Sequence, residues 1–350
     1  MENVATKLRA FWSDPERKPL LQIGYELAHA AWQERELPMH YFSRCLYRRS
    51  VGNPLDYSGN RRINRLHRAM TSASDNQMLD DKLFFQLLFG QAGIRVPRLL
   101  GYNCGATYHD GVAISIANIE SFEQVVRATL AKTTEGCIFV KLRHGTHGDG
   151  AIRITAETLE DNLRMQTIHQ SLIRNSCVFQ ETLSQHPAIS AIYPHCINTV
   201  RMDTFVHDDG RVEPLSAFMR FGSDGRYVDN SCAGGCFVGI DFQTGRLKTK
   251  GNRLLEFGGH TLEAHPFSGV RFEGIQVPHF EEAKALVTRA AAVTPTNRLV
   301  GWDVAIQADG PTLIEGNTWY HMGGQEIAYG GYRRHPTFAK ILDQFTGARR

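Results

Sequence analysis

The chain has 350 residues, enough to bury a large core and to form two or three lobes rather than one compact unit. Its composition, 42% hydrophobic and 21% charged, is ordinary for a soluble globular protein, and a formal charge of +3 is too small to argue for nucleic acid by itself. No apolar run reaches the roughly 18–20 residues of a membrane helix, MENVATKLRAFW lacks the apolar stretch of a secretory signal, and seven scattered cysteines fit the reduced thiols of a cytoplasmic protein.

Residues 1–75 read as mostly helical, with apolar residues at helical spacing in PLLQIGYELAHAAWQERE and few glycines. Within them the charge is uneven. Arg44, Arg48, Arg49, Arg61, Arg62, Arg65 and Arg68 stand against one acid, Asp56, between His40 and Met70. The default for such a cluster is a solvated helix face whose arginines pair with acids elsewhere, and an anionic partner is the alternative. Asp75 reads as the cap of a helix running to Gly93, with Leu79, Leu83, Leu87 and Leu88 on its apolar side.

Strands and helices then alternate. RLLGYNC and CIFVKL read as strands around a helix from Ser121 to Lys132, and AIRI returns after a glycine loop. Thr158 to Arg174 reads as helix. A β-rich stretch follows in CVFQETL, TVRMDTFV, VEPLSAFMRF and CFVGIDF, punctuated by DDG, SDG and QTG. Helix Glu281 to Ala292 precedes two strands, LVGWDVAI and PTLIEGN, joined at Asp309-Gly310. The fold class is α+β, with a helical N-terminal region and two mixed lobes.

Two constellations carry chemistry. In the first, Lys141 ends a strand of buried character, and an ammonium there is costly unless it meets an anion. Gly145, Gly148 and Gly150 follow within six residues, a spacing that lets backbone amides approach phosphate oxygens. A plain hairpin with a surface lysine accounts for this pattern equally well. No glycine-lysine-serine or -threonine occurs, so this is not a Walker loop, and G-x-x-G-x-G before a strand is not a dinucleotide fingerprint.

In the second, Glu315 and Asn317 stand two apart on one strand face and Asp303 on the partner strand can face them. Such oxygens form a magnesium site completed by substrate phosphates and water. Carboxylates set in otherwise apolar strands usually have a partner or a metal, which favours this over an exposed polar face. Arg201, between Val200 and Met202, points either to solvent or into a cleft. Cys232 and Cys236 in CAGGC have no second pair at zinc spacing and read as small loop residues.

The order of these motifs resembles the ATP-grasp superfamily, and within it the sugar-transfer-associated branch, whose relatives include α-L-glutamate ligases. DKLFFQLLFGQAGIRVPRLLG, FVKLRHGTHGDGAI, VFQETLSQHPAISAIYPHCINTVRMDTF, DNSCAGGCFVGIDFQTG, HPFSGVRFEGIQVPHF and VGWDVAIQADGPTLIEGN carry the likeness, over about residues 75–320. It implies two lobes clasping ATP: residues 76–178 with the lysine strand and glycine lid, and 179–350 with the Mg2+ site, after the helical region 1–75. Lys141 would hold the α/β-phosphates and Lys82 would also touch nucleotide. The loop of His144, Gly145, Thr146, His147, Gly148 and Gly150 would close over them. Gln180, Glu181 and Leu183 would line the adenine and ribose pocket. Asp303, Glu315 and Asn317 would bind magnesium, and Arg201 would reach the γ-phosphate.

The resemblance further implies an ATP-dependent ligase that activates a carboxylate as an acyl phosphate for an amine or hydroxyl nucleophile, in polysaccharide or specialised-metabolite biosynthesis. A small-molecule kinase on the same scaffold and a non-catalytic nucleotide-binding protein are the alternatives. Asp229, Asn230, Gly234, Gly235, His265 and His321 are candidates for the acceptor side, though each also reads as turn chemistry. Small-molecule carboxylate and amine substrates are the expected partners, free, sugar-linked or carrier-bound.

Overall fold

The computed structural model describes residues 2–145, 150–223 and 234–347. The N-terminal region is helical: α1 (Glu2–Ser13), α2 (Leu20–Glu34), α3 (Met39–Ser43), α4 (Asn60–Met70) and α5 (Ala73–Asp80). The predicted helix from Asp75 to Gly93 is in fact two, because α6 (Lys82–Gln91) starts afresh at Asp81. The Asp81 carboxylate accepts the Leu83 and Phe84 amides as an N-cap and also takes the Arg143 guanidinium at 2.6 Å. The restart shifts the helical phase, so Phe85 and Phe89 are buried where Leu87 was expected, and Leu87 is exposed.

A six-stranded antiparallel sheet forms the smaller lobe. Its strands are β1 (Leu99–Cys104), β2 (Thr107–His109), β3 (Ala113–Ser115), β4 (Cys137–Leu142), β5 (Ile152–Thr155) and β6 (Ser176–Glu181), in the order β3-β2-β1-β6-β4-β5. Helices α7 (Ile119–Leu130), α8 (Ala156–Glu160) and α9 (Asn162–Leu172) accompany it. Phe122, Val126, Met165 and Leu172 pack on Ile138, Val140 and Phe179, all on one face of the sheet. The predicted helix Thr158–Arg174 is likewise broken, at Asp161, whose side chain caps α9. The expected lobe boundary at 178 falls inside β6, because that strand is stitched between β1 and β4.

After the short α10 (Pro187–Ser190), the larger lobe is a seven-stranded sheet of order β11-β10-β9-β8-β7-β12-β13. It comprises β7 (Thr199–Val206), β8 (Val212–Phe221), β9 (Cys236–Ile240), β10 (Leu247–Asn252), β11 (Thr261–Leu262), β12 (Leu299–Gln307) and β13 (Gly310–Asn317). One face carries Val200, Met202, Met219, Val238, Trp302 and Val304 against α11 (Phe280–Val293) and α6. α6 therefore belongs to this core rather than to the smaller lobe. The short β2, β3, β10 and β11, and the C-terminal α12 (Gly323–Tyr329) and α13 (Pro336–Thr346), went unread in the sequence.

Side chains alternate across a strand, so the residues between the core positions share the opposite face. There Arg201, Asp203, Arg220, Asp303, Glu315 and Asn317 sit in register across β8-β7-β12-β13. Toward the far end of that face Phe205, Leu215 and Leu299 pack on α4 and α13. Gly316 explains the spacing of its two polar neighbours: a Cβ there would lie 2.6 Å from the Trp302 ring, directly across the ladder. We expect Gly316→Ala to lower stability by about 1–3 kcal/mol in urea unfolding, since the buried indole has no space to retreat.

Candidate active site

A cavity of about 750 Å³ lies between the two sheets, within the ~300–1,000 Å³ of small-molecule sites. The smaller lobe presents Phe139 and Lys141 of β4, Arg153 of β5 and Gln180 of β6; the larger presents Arg201, Arg220, Asp303, Glu315 and Asn317. Strand alternation brings both sets inward, because Ile138 and Val140 are held in the core of the smaller lobe.

Asp303 is the electrostatic centre. Arg201 donates from Nε to Oδ1 and from Nη2 to Oδ2 at 2.9 Å, and Arg220 Nη2 lies 2.8 Å from Oδ2. Although burial alone would raise it, the two guanidiniums hold this carboxyl well below the usual carboxylate range. Arg201 was expected to offer its fork to a phosphate; here its Nε–Nη2 edge is committed to Asp303, which leaves Nη1 outside that pairing. Arg220 is braced by Thr199 Oγ1, 2.9 Å from Nε and 2.6 Å from Nη2.

Glu315 stands across the ladder from Asp303, while Asn317 Nδ2 donates to Glu315 Oε1 at 3.3 Å. Burial first, and then the neighbouring Asp303 charge, push the Glu315 carboxyl up; Lys141 and Arg220 pull it back. Two carboxylates and an amide converge, one of them electrostatically under-compensated. That hard-oxygen set suits a divalent cation such as Mg2+. Asp303 would contribute only a lone pair left over from its two arginines.

Behind Arg201, Asp203 is fully buried and accepts from Gln325 Nε2 and Tyr332 Oη, both at 3.0 Å. Burial pushes it up to about 6 against those bonds and the Arg201 charge.

Lys82, the first residue of α6, donates from Nζ to the Gly145 carbonyl at 2.7 Å and from its amide to the Arg143 carbonyl at 3.0 Å. With the Asp81–Arg143 pair, this ties the root of the glycine loop to the larger lobe. Both Lys82 and Gly145 line the cavity; His144 is largely exposed, 3.9 Å from Asp81. Gly150 has a left-handed φ of 73°, while Thr146, His147 and Gly148 lie outside the described residues.

Glu181 and Leu183 line the cavity beside Gln180. The Glu181 carboxylate, however, is bound by Arg98 Nε at 2.7 Å and by the Thr134 amide and hydroxyl at 2.8 Å, so it has limited capacity for a ribose. Of the acceptor-side candidates among the described residues, only His321 lines the cavity. His265 is completely buried: its Nε2 meets the Gly222 carbonyl at 3.0 Å and its ring packs on Tyr193 and Phe221. It supports the core rather than a substrate. Gly234 and Gly235 are buried away from the lining, Ser223 donating to the Gly234 carbonyl, and Asp229 and Asn230 lie outside the described residues. Arg220 and Arg153 escaped the sequence reading. The signal was present for Arg220, an arginine alternating with apolar residues in AFMRF just as Arg201 does in TVRMD.

A model of the sugar-transfer-associated ATP-grasp family matches residues 61–337. The chain belongs to this family. No curated protein matches the chain. Similar solved structures include the ATP-grasp ligase PsnB complexed with a minimal precursor, at 19% identity over 79% of this chain and 63% of that one, with a TM-score of 0.43. Others are D-alanyl-alanine synthetase A from Vibrio cholerae, at 12% over 77% and 64% with a TM-score of 0.46, and an L-amino acid ligase from Bacillus licheniformis, at 12% over 73% and 44% with 0.40. The chain spans less than two thirds of the length of each. The ATP-grasp match begins at residue 61, so α1–α3 precede it. Among the described residues of this ATP-grasp chain, no helix is long and apolar enough to cross a membrane.

Arg98 and Thr134 hold Glu181 at about 2, below its ordinary 4.5. A depressed carboxylate stabilises the fold fully above pH ~4.5 and loses that contribution as pH falls toward ~2. The urea midpoints of wild type and Glu181→Gln should therefore differ at pH 6 and converge between pH 4.5 and 2.5.

Proposed function

We propose that this chain is an ATP-dependent ligase that activates a carboxylate as an acyl phosphate for an amine or hydroxyl nucleophile. One observation carries the reading: Lys141 from the smaller sheet and Arg201, Arg220, Glu315 and Asn317 from the larger face one another across a single cavity. Cations on two walls with a hard-oxygen pair between them suit a polyphosphate and its divalent ion.

In this reading Lys141 and Lys82 bind the α/β-phosphates, and the loop from His144 to Gly150 covers them to exclude water, to which an acyl phosphate is vulnerable. Gln180 and Leu183 flank the base and ribose. Magnesium, when bound through Glu315, Asn317 and the remaining lone pair of Asp303, supplies charge neutralisation on the phosphates. A carboxylate oxygen attacks the γ-phosphorus, the bond to the β-phosphate oxygen breaks, and ADP leaves. Arg220 and Arg201 Nη1 stabilise the transferring phosphoryl oxygens. The nucleophile then attacks the acyl carbon and inorganic phosphate departs as the nucleophile gives up its proton.

The two lobes proposed for this work are the six-stranded and seven-stranded sheets with their helices. The acceptor, free, sugar-linked or carrier-bound, would occupy the end of the cavity beyond Arg220, beside Phe218, Phe237, Trp319 and His321. Polysaccharide or specialised-metabolite biosynthesis in the cytoplasm is the context proposed; the six described cysteines are free thiols, which suits that compartment.

Hydroxylamine trapping tests the reading. With ATP, Mg2+ and a panel of amino, uronic and hydroxy acids, ADP release should be matched by an iron-detectable hydroxamate. ADP release with a phosphorylated hydroxyl and no hydroxamate would instead establish a kinase. Lys141→Ala and Glu315→Gln should each slow ADP release by about 10²-fold or more, and unchanged turnover in both would remove the site from the reaction. Arg220→Met should lower kcat more than it raises the KM for ATP, if it acts on the transferring group.

A further inference from the structure

The helices before the family match are fixed to the rest of the fold. Arg44 Nε meets Glu326 of α12 at 2.5 Å and its Nη1 donates to the Ser58 carbonyl at 2.7 Å, while the Ser58 amide donates to Glu326 at 2.8 Å. In α2, Ile23 and Ala30 are buried, Ile23 among Tyr41, Tyr47 and Tyr57. At 100° per residue, Leu21, Tyr25, Ala28 and Trp32 fall within about 60° of one another on the side opposite Ile23 and Ala30. That outward face should be polar, yet Leu21 is 91% exposed, Tyr25 72% and Trp32 83%. A helix apolar on its inner and outer faces is one that is covered on both.

Within α2 no unpaired carboxylate opposes a neighbour there. The acids between residues 18 and 39 are all engaged, Glu26 with Lys18 at 3.0 Å, Glu34 with Arg62 at 3.7 Å and Glu36 with Arg61 at 3.4 Å. The stripe also has a definite pattern. Its intervals of four, three and four residues are those of a helix-pairing seam. They read the same in both directions, so a two-fold axis beside Glu26 and Leu27 lays the stripe on itself. It sets Leu21 against Trp32 of a second copy and Tyr25 against its Ala28, a large side chain meeting a small one.

At about 200 Å² for a large apolar side chain, the stripe residues Leu21, Tyr25 and Trp32 expose roughly 500 Å² per copy, or about the ~1,000 Å² in total that a specific interface needs. We propose that α2 is the interface of an antiparallel, two-fold homodimer, with Leu21, Tyr25, Ala28 and Trp32 packed on the same four residues of a second copy. Because this surface lies on the helices before the family match, it is independent of the ligase reading.

Sedimentation velocity on the full chain tests this. A mass about twice the single-chain 39.3 kDa is expected for wild type, falling to the single-chain value in L21E/W32E with an unchanged far-ultraviolet circular dichroism spectrum. After subunit exchange, a short bis-maleimide should join L21C to W32C chains above the wild-type background. It should not join L21C to itself, because those positions lie about 16 Å apart along antiparallel helices. A monomeric wild type, a dimer that survives L21E/W32E, or a monomer that instead floats with anionic lipid vesicles would each overturn the proposal.

Discussion

The larger sheet places a carboxylate between two guanidiniums, and much else follows from that buried trio. Asp303 on β12 is reached from β7 by Arg201 and from β8 by Arg220, so three adjacent strands must be in fixed register for the charges to meet. A buried Asp303 without them would carry several kcal/mol of desolvation, and either arginine without Asp303 would be equally strained. The trio is net positive, and Glu315 and Lys141 continue the alternation of sign across the cavity. Such a wall has charge to spare for an anion and oxygens to spare for a divalent cation, but not in the same place. That separation makes the polyphosphate reading chemically economical.

The second constraint is that the lobes are tied where the glycine loop begins. Asp81 caps α6, which is locked in the larger core by Phe85 and Phe89, and the same carboxylate holds Arg143 at the end of β4. Lys82 then holds the Gly145 carbonyl. The start of the glycine loop is thus rooted on an element of the opposite lobe. The break in the helix at Asp81 is what frees its carboxylate and the Lys82 ammonium for these contacts.

The arginine-rich stretch from Arg44 to Arg68 resolves mostly into intramolecular pairing. Arg44, Arg48, Arg61 and Arg62 meet Glu326, Asp14, Glu36 and Asp343, and Arg65 reaches the Thr346 carbonyl. The local excess of positive charge in the sequence was balanced by acids mostly distant along the chain, which no window of thirty residues could reveal.

Period and residue type alone determined a good deal. Alternation in TVRMDTFV, CIFVKL and LVGWDVAI specified buried strands; Lys141, Arg201, Asp303 and Glu315 stood out because charge in such strands demands a partner, and Asn317 because it shares a strand face with Glu315. The order of motifs carried the resemblance to the ATP-grasp superfamily, and the family match over residues 61–337 bears it out. Only the tertiary structure decided which partners those charges take: that Asp303 answers to Arg201 and Arg220, that Glu181 is spent on Arg98, and that His265 belongs to the core. It also decided that one expected helix becomes two at Asp81, because the competing contact, Arg143, lies 62 residues away. Local propensity is written along the chain, whereas the compensation of a buried charge depends on what the fold brings within a few ångströms of it.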